Sequence, residues 1–345
     1  MRRALVLTTG RAADGPYGID KLRGFGYELV DVPDARARLH RKLRDVVEHR
    51  TRRPLDKTLR STLKAWRSDL VIAFLEREAL AASWLKQRRL PPWRSLPLVM
   101  FECWLAEELR HADAATRRNL VKSYAGVDLT FAWSANQLDI LHDAGFHPDR
   151  LASVPFGFAP ENHPFVPQAG RQGGIVAIGF DRGRDYPTLF DAVAGTDLVV
   201  DLYCKEVNLG GRTPPPGVNF RGTVPSAEYA RLIADAEIVV IPTKDLAYPT
   251  GQTVAMEAAG AGACVVVSGT APMREYFTDS EALLFDPGDA SGLREQLMRA
   301  RDDFQLRDSL GRAAAERMRG QFTYTQMWQR VDRELRTRGL VGGKP

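Results

Sequence analysis

Cysteine is scarce in this 345-residue chain. Cys103, Cys204 and Cys264 are odd in number, far apart and without CxxC spacing. That excludes a disulfide framework and a structural zinc site, and it suits reduced, buried thiols in a cytoplasm. Long hydrophobic runs are missing too. The longest candidate, Leu70 to Leu75, is strand-sized, well short of the ~18–20 residues that cross a bilayer. The opening MRRALVLTTGRAADG has too brief an apolar run for a secretory segment and reads as a first β-strand. Without GxxxxGK[ST] the chain is not a P-loop nucleotidase, and without GxGxxG after the first strand a dinucleotide site is unsupported. Without GxSxG the simplest serine hydrolase is removed. The six histidines (His40, His49, His111, His142, His147 and His163) show no His-x-x-x-His ligand spacing.

What is present is ordinary for a globular protein: 44% hydrophobic and 26% charged residues. The length suggests two domains at roughly 100–200 residues each. A net charge of +5 is unevenly spread. From Arg36 to Arg67, twelve lysines and arginines face three acids. The favoured reading is a pair of solvated helices with Leu39, Leu43, Val46 and Val47 turned inward. The sharper one is a surface at residues 36–67 that meets anionic lipid or a phosphorylated acceptor. Aromatics do not interleave with these cations, so nucleic acid is not an expected partner.

Short β-branched runs alternate with amphipathic stretches, the grammar of an α/β protein with parallel sheets. Strands are predicted at 4–8, 27–32, 69–74, 97–101 and 129–133. They restart at 174–178, 197–203, 218–220, 238–241, 264–267 and 283–285. A Pro- and Gly-rich hinge near 156–172 separates the halves. The expected division is a domain over 1–168, a second over 169–324, and a helix over 325–345 that packs back on the first. Met327, Trp328, Val331 and Leu335 form that helix's apolar face. Both domains are expected to be Rossmann-like and doubly wound, facing a cleft where ligands bind beyond the strand C-termini.

The segment Ile238 to Tyr276 carries the most chemistry. A buried strand ends at Pro242, a polar loop follows, and Thr250-Gly251-Gln252 opens a helix bearing Glu257. Thr250 suits an N-cap and Gly251 lets backbone approach a ligand. Helix N–H groups there make an anion site suited to a diphosphate. An ordinary capped strand–loop–helix fits these residues equally. In the first half, TTGRAADGPYG brings Gly10 and Gly18 just after a strand, as an acceptor-side loop or a plain connection. Glu102 ends a strand, is expected to project toward the cleft as Glu76 and Glu78 could, and is the acid–base candidate; each such acid is more often a solvated loop residue.

The run GQTVAMEAAGAGACVVVS, then Glu275 in MREYF and ALLFDPGDASGL, resembles the C-terminal domain of family-4-like, retaining GT-B glycosyltransferases. In order along the chain, Ser134-Ala135-Asn136, HPDRLASVPFGF, IVAIGFDRGRDYPTLFDAV and VNFRGTVPSAEYARLIADAEIVVIP resemble further parts of that family. The likeness covers about 128–335 and is only architectural over 1–127.

The resemblance implies a nucleotide-sugar donor. Glu257 matches the second acid of the E-x7-E motif and would hold the ribose hydroxyls; the first would fall at Pro249 and is absent, as in members with a GQT-type loop. Gly251, Gln252 and Thr253, with Thr250, match the loop at the donor phosphates. Arg184 is placed as the diphosphate clamp, with Arg182 its competitor and Lys244 a second cation. Gly222-Thr223-Val224 match the turn on which the base stacks. No Asp-x-Asp occurs, so the resemblance implies a metal-free reaction with no cofactor beyond the donor, whose base (UDP, GDP or dTDP) stays open. The implied activity is transfer, with retention, to a small-molecule or lipid-linked acceptor. A nucleotide-sugar 2-epimerase and a non-catalytic nucleotide-sugar-binding protein are the alternatives. The expected setting is bacterial and cytoplasmic, peripheral at the inner membrane face if the basic segment meets lipid.

Overall fold

The alternating apolar runs become two six-stranded parallel sheets in the computed structural model, which describes residues 1–8, 16–35 and 37–342. The chain divides into two units.

The first unit holds Met1–Pro155 together with the chain from Tyr324 on. Its strands are β1 (Arg2–Leu7), β2 (Tyr27–Val30), β3 (Leu70–Phe74), β4 (Leu98–Phe101), β5 (Leu129–Ala132) and β6 (Leu151–Ser153), ordered β2-β1-β3-β4-β5-β6. All neighbours pair in parallel, with Ala4 opposite Leu70 and Val71 opposite Leu98. Every residue of β3, β4 and β5 is buried. Such strands are covered on both faces, which is why they read as unbroken apolar runs. The helices of this unit include α1 (Arg38–Thr51), α2 (Leu55–Arg60), α3 (Thr62–Ala65), α4 (Glu76–Gln87), α5 (Leu105–His111), α6 (Ala114–Ser123) and α7 (Asn136–Ala144), of which α4 packs on β3 and β4.

The second unit runs from Phe156 to Thr323. Strands β7 (Ile175–Ile178), β8 (Val200–Tyr203), β9 (Val218–Gly222), β10 (Ile238–Ile241), β11 (Cys264–Ser268) and β12 (Leu283–Phe285) lie in the order β12-β11-β10-β7-β8-β9. Around them are α8 (Tyr186–Val193), α9 (Ser226–Asp235), α10 (Gln252–Gly260), α11 (Ala290–Asp302) and α12 (Phe304–Gln321). The order reverses between β7 and β10. In a doubly wound sheet that switch point opens a crevice beyond the strand C-termini.

The division falls at Pro155/Phe156, earlier than the 168 read from sequence. The hinge residues are part of the second unit's packing. Phe158 bridges to Thr323, Val166 N–H donates to Ala261 O, and the buried Arg171 guanidinium donates to carbonyls of Ile233 and Ala236.

The last helix, α13 (Tyr324–Thr337), belongs to the first unit. Met327, Trp328, Val331 and Leu335 are all buried. Trp328 lies against Phe74 and Phe101, and its indole N–H donates to Tyr17 O at 3.0 Å. Tyr27 hydroxyl donates to Asp332 at 2.8 Å.

Helix α1 departs from the favoured sequence reading. None of its residues is buried, and Leu39, Leu43, Val46 and Val47 point to solvent rather than inward. Of the cysteines, Cys204 and Cys264 are buried, their thiols pushed up to about 11 and about 12 by burial, whereas Cys103 is only half-buried.

Candidate functional site

The switch point of the second sheet gathers the loop after β7 and the loop after β10. Arg184 pairs as an isolated antiparallel bridge with Thr243, Lys244 N–H donates to Gly183 O at 2.9 Å, and Asp185 N–H donates to Pro242 O at 3.0 Å. This backbone stitching fixes where Arg184 can reach.

Arg184 is buried, and its Nε donates to Asp181 Oδ2 at 2.7 Å. Asp181 also accepts from Thr250 Oγ1 and from Gly183 N–H. Burial by itself would discharge both partners. For Asp181 the Arg184 charge and these hydrogen bonds outweigh it and lower the carboxyl below its usual range; for Arg184 the Asp181 charge outweighs it and holds the guanidinium charged. One guanidinium nitrogen, Nη1, has no hydrogen-bond partner. Thr243 Oγ1, in the loop after β10, and Gln252 Oε1, at the start of α10, are buried and unpartnered as well. Buried polar atoms are nearly always satisfied, so these three atoms leave hydrogen-bonding capacity that water or a polar ligand can take up.

Two glycines make the room. Gly179 has φ +140°, and a Cβ there would stand 2.4 Å from Arg184 Cζ. Gly251 has φ +82°, and its Cβ would meet Ile241 Cγ2 at 2.5 Å and Arg184 Nη1 at 3.0 Å. Gly251 is the N-cap of α10, and no side chain caps that terminus. Gln252 N–H donates to Pro249 O at 3.1 Å, and no side chain caps the N–H groups of Thr253 and Val254, which start the helix beside a buried cation. Thr250, read as the N-cap, instead precedes it, with its hydroxyl committed to Asp181.

Glu257 lies further along α10. Its Oε2 accepts from the Tyr229 hydroxyl at 2.6 Å, and its Oε1 is 3.5 Å from His163 Nε2. His163 is buried, with Nδ1 unpartnered. Thr253 is half-buried in the first turn of α10, and Gly222, with φ +74°, ends β9 and leads into Thr223 and Val224. Lys244 and Arg182 are exposed. The structure thus brings together Arg184, Thr250, Gly251, Gln252 and Glu257, and separates Arg184 from Arg182 by burial. Asp181, Thr243, Tyr229 and His163 were not foreseen. Asp181 had a signal, an acid three residues before Arg184 in one tight loop; Tyr229 and His163 had none.

The first-unit candidates fare differently. Glu102 does not project outward: it is wholly buried, accepting from the Gln137 amide and from Ala106 N–H. Burial, with the Glu76 charge, pushes its carboxyl up to about 8 against those hydrogen bonds. It joins the end of β4 to α5 and α7. Glu76 accepts from Cys103 and Trp104 N–H. Gly18, φ +65°, is held against the α13 helix, where a Cβ would come within 2.3 Å of Tyr324 Cβ, so packing accounts for it. Gly10 lies outside the described residues. At the strand ends of this unit a cavity of about 220 Å³ is lined by Thr8, Asp34, Glu48, Lys57, Arg77 and Glu78. Among the described residues, no three His, Cys, Asp or Glu side chains are grouped to hold a metal ion, and no helix is long and apolar enough to cross a membrane.

Residues 187–333 match a family model described as glycosyl transferase-like. Among solved structures, HepE of Anabaena in complex with UDP-glucose has a TM-score of 0.71 at 16% identity, covering 98% of this chain and 100% of that one. Sucrose-phosphate synthase from Thermosynechococcus elongatus gives 0.71 at 16% identity, with 98% and 99% covered. A glycosyltransferase from Rickettsia africae gives 0.67 at 9% identity, with 99% of both chains covered. No curated protein matches the chain by sequence. The architecture is that of the GT-B glycosyltransferases: two Rossmann-like α/β units, each built on a parallel sheet.

Proposed function

We propose that the chain is a glycosyltransferase that takes a sugar from a UDP-sugar, without a metal and with retention, and places it on a polar small-molecule or lipid-linked acceptor. The observation that carries the reading is Arg184: a buried, permanently charged guanidinium with an unpartnered Nη1, walled by Gly179 and Gly251 at an uncapped helix start. A nucleoside diphosphate gains charge as the bond from its β-phosphate oxygen to the anomeric carbon breaks. A preorganised cation and helix N–H groups in a water-poor site stabilise that charge best, and a second, metal-borne charge is then not required. Lys244, exposed beside this loop, reaches the same phosphates from the solvent side. The departing phosphate oxygen takes the acceptor's hydroxyl proton, so no side-chain base is needed, and the burial of Glu102 fits that.

Glu257 serves the ribose, whose vicinal hydroxyls displace or share the Tyr229 hydrogen bond, and the Gly222–Val224 turn serves the base. UDP is favoured because HepE is described with UDP-glucose and an Escherichia coli trehalose-phosphate protein with UDP-2-fluoro glucose. The first unit's charged cavity around Lys57 and Glu78 suits a hydroxyl-rich acceptor. A thermal-shift panel of UDP, GDP, dTDP, ADP and CDP, each with and without magnesium, tests the reading. UDP at ~100 times its dissociation constant should add about 2.7 kcal/mol. No shift with any diphosphate would sink the donor site, and a shift only with magnesium would sink the metal-free mechanism.

A further inference from the structure

Helix α1 is seated by its polar side. Its half-buried residues are His40, Arg44, Glu48 and Thr51, which share one face, and the rest are exposed. His40 Nε2 is 2.6 Å from Asp56 Oδ1, and Glu48 Oε1 accepts from Asp56 N–H at 3.1 Å. The apolar stripe points the other way: Leu39 is 80% exposed, Leu43 64% and Val46 65%. Leu59, Leu63 and Trp66, spaced i, i+4 and i+7 through α2 and α3, are 52%, 80% and 62% exposed. Apolar side chains displayed in such number mark a contact surface.

Charge selects what covers it. The acids Glu48 and Asp56 face the protein, leaving Asp45 as the exposed acid among the described residues of this stretch. Arg38, Arg41, Lys42, Arg50, Arg52, Lys64 and Arg67 are exposed. A second copy of the same face would bring cation against cation, so self-association is disfavoured. A helix with apolar residues on one side and cations beside them matches an anionic lipid surface lying in plane with it.

We propose that the apolar stripe of α1 docks on an anionic phospholipid bilayer, with Leu39, Leu43 and Val46 entering the headgroup boundary and the neighbouring cations meeting phosphates. This does not rest on the glycosyltransferase reading. The test is flotation of the full chain with vesicles of phosphatidylcholine alone or with phosphatidylglycerol added, at low and high ionic strength. The chain should float only with the anionic vesicles, and about tenfold more weakly at high salt. The triple variant Leu39→Ser, Leu43→Ser, Val46→Ser should lower binding at least about tenfold. Its melting temperature and its stabilisation by UDP should not change, since α1 buries none of its residues.

Flotation of neither chain, or of both equally, overturns the proposal. So does wild-type self-association without lipid, seen by sedimentation velocity and removed by the triple variant, which would assign the face to a second copy. Vesicle binding is read without a donor, so its failure and a failure to bind UDP are separate results.

Discussion

Gly251 and Arg184 share a wall: the guanidinium nitrogen that lacks a partner faces the one Cα in the α10 loop where no side chain can stand. The charge of Arg184 is thereby presented to the first turn of a helix rather than to solvent.

Gly251→Ala should disturb both sides of that wall. The backbone is left-handed there and the new methyl meets Ile241 and Arg184. A stability loss of about 1–3 kcal/mol is expected in chemical denaturation. Calorimetry should show UDP binding lost. Unchanged UDP affinity would remove this loop from the donor site.

Arg184→Lys keeps a positive charge and loses the planar fork that holds Asp181 with one nitrogen and offers another. UDP affinity should fall at least about tenfold while uridine affinity changes little. Equal losses for both ligands would mean that the substitution disturbs the site as a whole and that the diphosphate is held elsewhere.

For Glu257, the informative comparison is UDP against its 2′-deoxy analogue. The wild type should prefer UDP by about tenfold, an effect the size of one hydrogen bond to a charged group. Glu257→Gln should erase the preference without unfolding the chain, since Gln can still accept from Tyr229. A preference that survives assigns the ribose to another residue.

Glu102 predicts a pH dependence of stability. Its carboxyl is raised from the ordinary 4.5 to about 8 by burial and the Glu76 charge. Between those values the folded chain holds a proton that the unfolded chain releases, so the contribution is full at the acid end and is lost as pH rises. The wild-type melting temperature should fall relative to Glu102→Gln from about pH 5 to about pH 8. A constant difference would show Glu102 ionised in the folded state.

Most of the strands were legible because a parallel sheet buried on both faces demands continuous β-branched runs. Leu151–Ser153 was not, being three residues inside a loop-like text. The α13 helix was legible down to its buried face because its apolar spacing is regular and Trp328 has one plausible side. The same regularity misled at α1: periodicity shows that a helix has an apolar stripe, never on which side the protein lies. Thr250 to Glu257 stood out through glycine and capping chemistry, which are local. The burial of Arg184 beside an exposed Arg182, the enclosure of Glu102 by Gln137, and the Tyr229–Glu257 bond depend on residues far off in the chain.

The return of α13 has a consequence for how the protein is made. The second unit is one uninterrupted stretch, but the first closes only when Trp328 reaches the ring cluster of Phe74 and Phe101. On the ribosome, the half that emerges first is therefore the half that finishes last. A stop codon just before Tyr324 would remove nothing from the second unit and yet leave an unplugged core at the other end of the gene's product.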